Sequence, residues 1–182
     1  MHADMKSTQR TCLREPILEV FDAASRLDLA VSAHLNGEYN VAADLIRHAD
    51  MMIIREWTES IWGKNSPYQQ YRPILEIKVS VSKEIRVSAR MPDLSEKRAL
   101  LDRDGYHCRF CGIPVIREEV RKKIMKAYPE ALSWKRNNAG QHAAFQAMWV
   151  QYDHLLPHAK GGENNLGNMV ITCAPCNFGR MD

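Results

Sequence analysis

Residues 152–182 read YDHLLPHAKGGENNLGNMVITCAPCNFGRMD, and the order of residue types in this stretch decides the fold. Asp153-His154 sits on a short apolar strand with Tyr152, Leu155 and Leu156, and Pro157 ends it. Gly161-Gly162 permits a turn with positive φ. A return strand follows Asn168, and Cys173-Ala174-Pro175-Cys176 leads through Asn177 into a helix. Strand, turn, strand and helix in that order make an α+β fold. Asp153 offers a hard oxygen to a divalent cation, and His154 offers an imidazole that activates water. Neighbouring strand residues point to opposite faces, so the two serve one substrate only where the backbone bends.

Working outward, the cysteines come next. Of the five, Cys108-Arg109-Phe110-Cys111 and Cys173-Ala174-Pro175-Cys176 are C-x2-C pairs, and Cys12 stands alone. Each pair presents two sulfurs on one side of a tight turn, and two such turns complete a tetrahedron around Zn²⁺. The 61 residues between the pairs, 112–172, exceed the usual gap, so an insertion is expected between them.

Asp153-His154, Gly161-Gly162, Asn168-Met169, Cys173 with Cys176, and Asn177 together resemble the ββα-metal finger of the HNH endonucleases. The upstream stretch DGYHCRFCG resembles that family's lead-in to its first zinc pair. The resemblance covers residues 97–182 apart from an insert at 113–150, for which the family pattern offers no role. It implies that His154 is the general base, braced by Asn168. It also implies that Asp153 and Asn177 hold a catalytic Mg²⁺ or Mn²⁺, while Cys108, Cys111, Cys173 and Cys176 hold a structural Zn²⁺. DNA is the implied substrate, and the products carry a 5′-phosphate and a 3′-hydroxyl. Arg109, Lys160 and Arg180 flank the finger as candidate phosphate contacts.

Blander roles stand beside these. His154 can be a satisfied core histidine, and Asn177 can cap a helical turn. Asn164 or Asn165 can be mistaken for Asn168, and His158 can be a solvated loop residue. A non-catalytic zinc-finger-like module that binds nucleic acid or protein would share the four cysteines. Such a module has no need of Asp153, His154 and Asn177 together.

Upstream, residues 1–64 form an α-helical appendage on this reading. Ile17, Leu18, Phe21, Ala24, Leu27 and Val31 give the first helix, and Gly37 stops it. Asn40 caps a second helix that runs to Trp62, with Val41, Leu45, Ala49, Met52, Ile53, Trp57 and Ile61 on one face. The pair reads as an αα-hairpin, a separate unit able to dock a protein partner. Residues 65–96 hold a linker and a β-hairpin, in which Leu75, Ile77, Val79 and Val81 alternate with polar residues before the pattern resumes at Ile85. Asp93-Leu94-Ser95-Glu96 is a capping box for a helix to about Arg103. In the insert, helices are expected at 117–128 and 141–149.

The net charge of +3 is unevenly spread, −3 over residues 1–64 and +6 over 65–182. Only the C-terminal part suits a polyanion. The longest aliphatic run, Met51-Met52-Ile53-Ile54, is far below the roughly 20 residues of a membrane span. Residues 1–16 carry no apolar signal core, so a cytoplasmic location is expected.

Overall fold

The computed structural model describes residues 14–62, 66–68, 82, 84 and 91–180. Among these the chain is mixed α+β, with seven α-helices and a two-stranded antiparallel sheet. The β-hairpin expected over 75–89, apart from residues 82 and 84, and Cys12 lie outside the described residues.

The N-terminal helices differ from the expected hairpin. Helix α1 (Leu18–Leu35) ends before Gly37, but the single second helix is two: α2 (Tyr39–His48) and α3 (Met52–Ile61). Asn40 is not the cap, since α2 already begins at Tyr39. The break between α2 and α3 has a tertiary cause. Asp50, a poor helix-interior residue, turns its Oδ1 to the Ala143 N–H at 2.7 Å, and Arg55 lies 3.7 Å from the same oxygen. The buried stripe of α1 is also another one: Val20, Ala23, Leu27, Ala30 and Ala33 face inward, while Leu18, Phe21 and Val31 are exposed. Alanines at a helix contact let axes approach closely, and α2 packs along this face.

Helix α4 (Leu94–Asp104) forms as the capping box requires. The Glu96 N–H donates to Asp93 Oδ1 at 2.8 Å, and the Asp93 N–H donates to Glu96 Oε2 at 2.7 Å. The insert carries α5 (Glu118–Ala127) and α6 (Ala143–Ala147). The latter is shorter than expected because Trp149 pairs with Ile116 and Val150 opens a strand. Strand β1 (Val150–His154) runs antiparallel to β2 (Met169–Cys173), and α7 (Ala174–Arg180) follows at once. The register sets Val150 against Cys173 and His154 against Met169. Among the described residues no helix is long and apolar enough to cross a membrane.

All five residues of α6 are buried, and it contacts α1, α3 and α7. One continuous core runs from Val20 through Trp57 and Phe145 to Cys176. The N-terminal helices therefore do not pack as a unit of their own, and the insert is what they dock on. Arg55 Nη2 donates to the Gln141 carbonyl at 2.6 Å, and His34 Nδ1 lies 2.6 Å from the Tyr128 hydroxyl. Trp134, Trp149, Phe178 and Trp62 extend the contact, with successive ring centroids 5.8, 6.4 and 5.6 Å apart.

His142 closes this joint. It is fully buried, and its Nε2–H donates to the Ile46 carbonyl at 2.8 Å. Burial holds its pKa below the ordinary imidazole value, against the opposing pull of the Ile46 carbonyl and Asp50. The unfolded chain takes up this proton near pH 6.5 and the folded chain resists it. Stability is then complete above about pH 6.5 and is lost as pH falls from there toward the depressed folded value. The urea midpoint is expected to fall between pH 7 and pH 5, and to fall less in His142→Gln. An equal fall in both proteins would acquit His142.

Candidate metal centre

Two turns bring four sulfurs together. Cys108 and Cys111 lie in the turn after α4, Cys173 ends β2, and Cys176 lies in the first turn of α7. Their Sγ atoms all fall within 4.8 Å of one another, with Cys111 and Cys173 at 3.6 Å. A tetrahedral zinc ion with bonds of about 2.3 Å separates its sulfurs by about 3.8 Å, so this spread fits a single ion. None of the four is in a disulfide, and together they could hold a metal ion. Hydrogen bonds from Cys111, then Cys173 and Cys176, hold the Cys108 thiol well below the ordinary thiol range despite burial. They favour the thiolate, which is the form that ligates metal.

The first turn is shaped locally and then fastened to the sheet. The Gly112 N–H donates to the Cys108 carbonyl at 2.8 Å, and the Cys108 N–H donates to Ile113 at 2.9 Å. Gly112 has φ +77°, a left-handed value that glycine adopts without strain. The Arg109 N–H reaches the Ile171 carbonyl of β2 at 2.9 Å. Asp104, at the end of α4, binds the same strand residue by accepting the Ile171 N–H at 3.2 Å. Arg103 Nε and Nη2 each lie 2.6 Å from the Asp104 carboxylate. Burial pushes that carboxyl up, but the Arg103 hydrogen bond, the Ile171 N–H and the charges of Arg103 and Arg109 together hold it below the ordinary range. Arg109 is thus partly engaged, its Nε 3.7 Å from Asp104, although its side chain is exposed.

A polar site adjoins this centre. Asp153 and His154 are successive residues of a regular ladder, so their side chains leave opposite faces of β1. The bend comes just after them, at Leu155 and Leu156. Asp153 turns to α7, where Arg180 Nη1 donates to its Oδ2 at 2.6 Å. Arg180 Nη2 donates to the Leu155 carbonyl at 2.9 Å, and the guanidinium carbon lies 5.6 Å from the Phe110 ring centre. Asn177 stands three residues before Arg180 on α7, at a spacing that puts the two on neighbouring positions of the helix surface. His154 is buried, with Nε2 2.8 Å from Asn164 Oδ1.

Asn168 clamps the segment after His154. Its Oδ1 accepts the Leu156 N–H at 2.7 Å, and its Nδ2 donates to Leu156 and Glu163 carbonyls at 3.2 and 3.0 Å. The glycine pair serves the same loop in two ways. Gly161 has φ +85°, and a Cβ on Gly162 would lie 1.8 Å from the Leu156 carbonyl oxygen. Lys160 is half-buried in the turn of residues 158–160, and the His158 ring centre lies 6.0 Å from that of His154.

No family model, curated protein or solved structure matches this chain. Geometry therefore carries the argument alone. Sequence reasoning missed Asn164, because three asparagines crowd residues 164–168 and spacing singles out Asn168. It also missed Asp104, which looks like any acidic residue closing a helix until β2 folds back on it.

Proposed function

We propose that the chain is a metal-dependent endonuclease of the HNH kind, hydrolysing DNA phosphodiester bonds. The supporting observation is the run β1, clamped loop, β2 and α7, with His154 ending the first strand and four sulfurs gathered at the β2–α7 joint. In this reading Cys108, Cys111, Cys173 and Cys176 hold a structural Zn²⁺. Asp153 and Asn177 hold one Mg²⁺ or Mn²⁺. Asp153 already faces a cation at 2.6 Å, and a carboxylate with an amide oxygen is a donor set that suits a hard ion. Such an ion supplies positive charge to the scissile phosphate and to the departing 3′ oxygen.

His154 is the last residue of β1, next to the bend at Leu155 and Leu156, and in this reading that bend lets it take the proton from water attacking the phosphate held at Asp153. Asn164 presents its oxygen to Nε2, so Nε2 keeps its hydrogen and Nδ1 is the accepting atom. Asn164→Ala frees the ring and its tautomer, and cleavage is expected to fall about tenfold with zinc content unchanged. A wild-type rate in that variant would remove Asn164 from the site.

The second reading is a non-catalytic zinc module that binds nucleic acid or a protein partner, the latter through the N-terminal helices. The Asp153–Arg180 pair favours it, since an ion pair with both side chains only 17% and 16% exposed can be purely structural. Incubating the protein with supercoiled plasmid, a matched RNA and Mg²⁺ separates the readings. Nicking of the plasmid supports the nuclease. Binding without nicking supports the module, and preferential RNA cleavage would correct the substrate.

A further inference from the structure

We propose that Arg180 is a positioning residue that acts as a displaceable counter-cation on Asp153. Its guanidinium holds the carboxylate until a divalent ion takes it over, and then turns to the substrate phosphate. This rests on the nuclease reading above.

The fork of Arg180 is split between two acceptors. One nitrogen reaches Asp153 at 2.6 Å and the other reaches the Leu155 carbonyl at 2.9 Å. A bidentate grip on the carboxylate would be stronger, so a single charged contact favours exchange. The pair also keeps some exposure, so water and an incoming ion can reach the carboxylate. The position is central, because Asn177 shares the helical face of Arg180 and Leu155 directly follows His154.

Charge then couples the metal to the substrate. A divalent ion entering beside Asp153 while Arg180 stays nearby leaves three positive charges against one negative. A phosphodiester brings a further negative charge, and a guanidinium fork matches its oxygens. Metal and DNA should therefore bind with positive cooperativity. Without DNA, Arg180 competes with the ion. If the pair is closed about 90% of the time, the apparent metal affinity is reduced about tenfold.

Mn²⁺ binding to the zinc-loaded full chain, followed by the EPR signal of free Mn²⁺, tests this. Without DNA, Arg180→Gln should bind Mn²⁺ about tenfold tighter than wild type, and Arg180→Lys should fall between them. Lys160→Gln removes a positive charge from the same loop region and should shift the affinity far less. In a His154→Ala background, which slows cutting, duplex DNA should tighten Mn²⁺ binding about tenfold. Adding Arg180→Gln to that background should remove most of this gain. Zinc content and circular dichroism report whether each variant folds. Equal Mn²⁺ affinity in wild type and Arg180→Gln, with binding still abolished by Asp153→Asn, overturns the counter-cation role and leaves the nuclease reading intact. An equal gain from Lys160→Gln reduces the effect to general charge and overturns it too. Binding that ignores Asp153→Asn in every variant overturns the metal site and this proposal with it.

Discussion

His154→Ala is expected to lower plasmid cleavage by about 10²–10⁴-fold, the range for removing a positioned proton acceptor. Its sulfur neighbours are untouched, because His154 ends β1 while the cysteines gather at the far end of the same ladder, where Val150 pairs with Cys173. The change removes a hydrogen bond to Asn164 and opens a small space at a buried position. It should therefore cost about 1–3 kcal/mol of stability, and assays belong well below the melting temperature. Zinc content and DNA affinity should be unchanged, with the loss in kcat rather than KM. Added imidazole should restore part of the rate. Cleavage at the wild-type rate would return His154 to the status of a satisfied buried histidine and strengthen the zinc-module reading.

How far the sequence went depends on the reach of each contact. Asp93 and Glu96 cap α4 as read, because a capping box is settled within four residues. The two C-x2-C turns were legible for a similar reason: each is local, and two such pairs suit one tetrahedral ion. The insert hid them only in distance. The α2–α3 break was not legible, because Asp50 leaves the helix to meet the Ala143 N–H, 93 residues on. The α1 stripe failed differently. Leu18, Phe21 and Val31 are the larger apolar side chains, yet the alanines face inward. Periodicity finds a stripe, whereas the closeness of α2 chooses between stripes. The family pattern offered the insert no role, and its contacts to Ile46, Asp50 and Arg55 have no local signature. In the polar site, residue types were legible and their pairing was not. Asp153 beside His154 in sequence reads as one site, while the ladder sends them apart, to Arg180 and to Asn164.

Zinc and the catalytic ion should come away separately, and Cys173 should decide the fold. Four thiolates bind Zn²⁺ with apparent free energies of about 10–16 kcal/mol, and that binding is also folding energy. The four sulfurs here join the turn after α4 to the β2–α7 joint, beside the backbone bonds that already tie the two. Cys173 is fully buried and belongs to the strand that Asp104 and Arg109 also grip. Cys173→Ser should lose zinc, and with it the cooperative unfolding transition and all cleavage. An ion held by one carboxylate, one amide oxygen and waters binds far more weakly, because Mg²⁺ sheds its waters reluctantly. Brief dialysis against a mild chelator should then abolish cleavage while about one zinc per chain stays bound, as elemental analysis would count it. Returning Mg²⁺ or Mn²⁺ should restore cutting without refolding. Loss of zinc and activity in strict parallel would collapse the two sites into one. Cleavage that survives without any free divalent ion would leave Asp153 paired with Arg180 throughout, and no metal at all on that carboxylate.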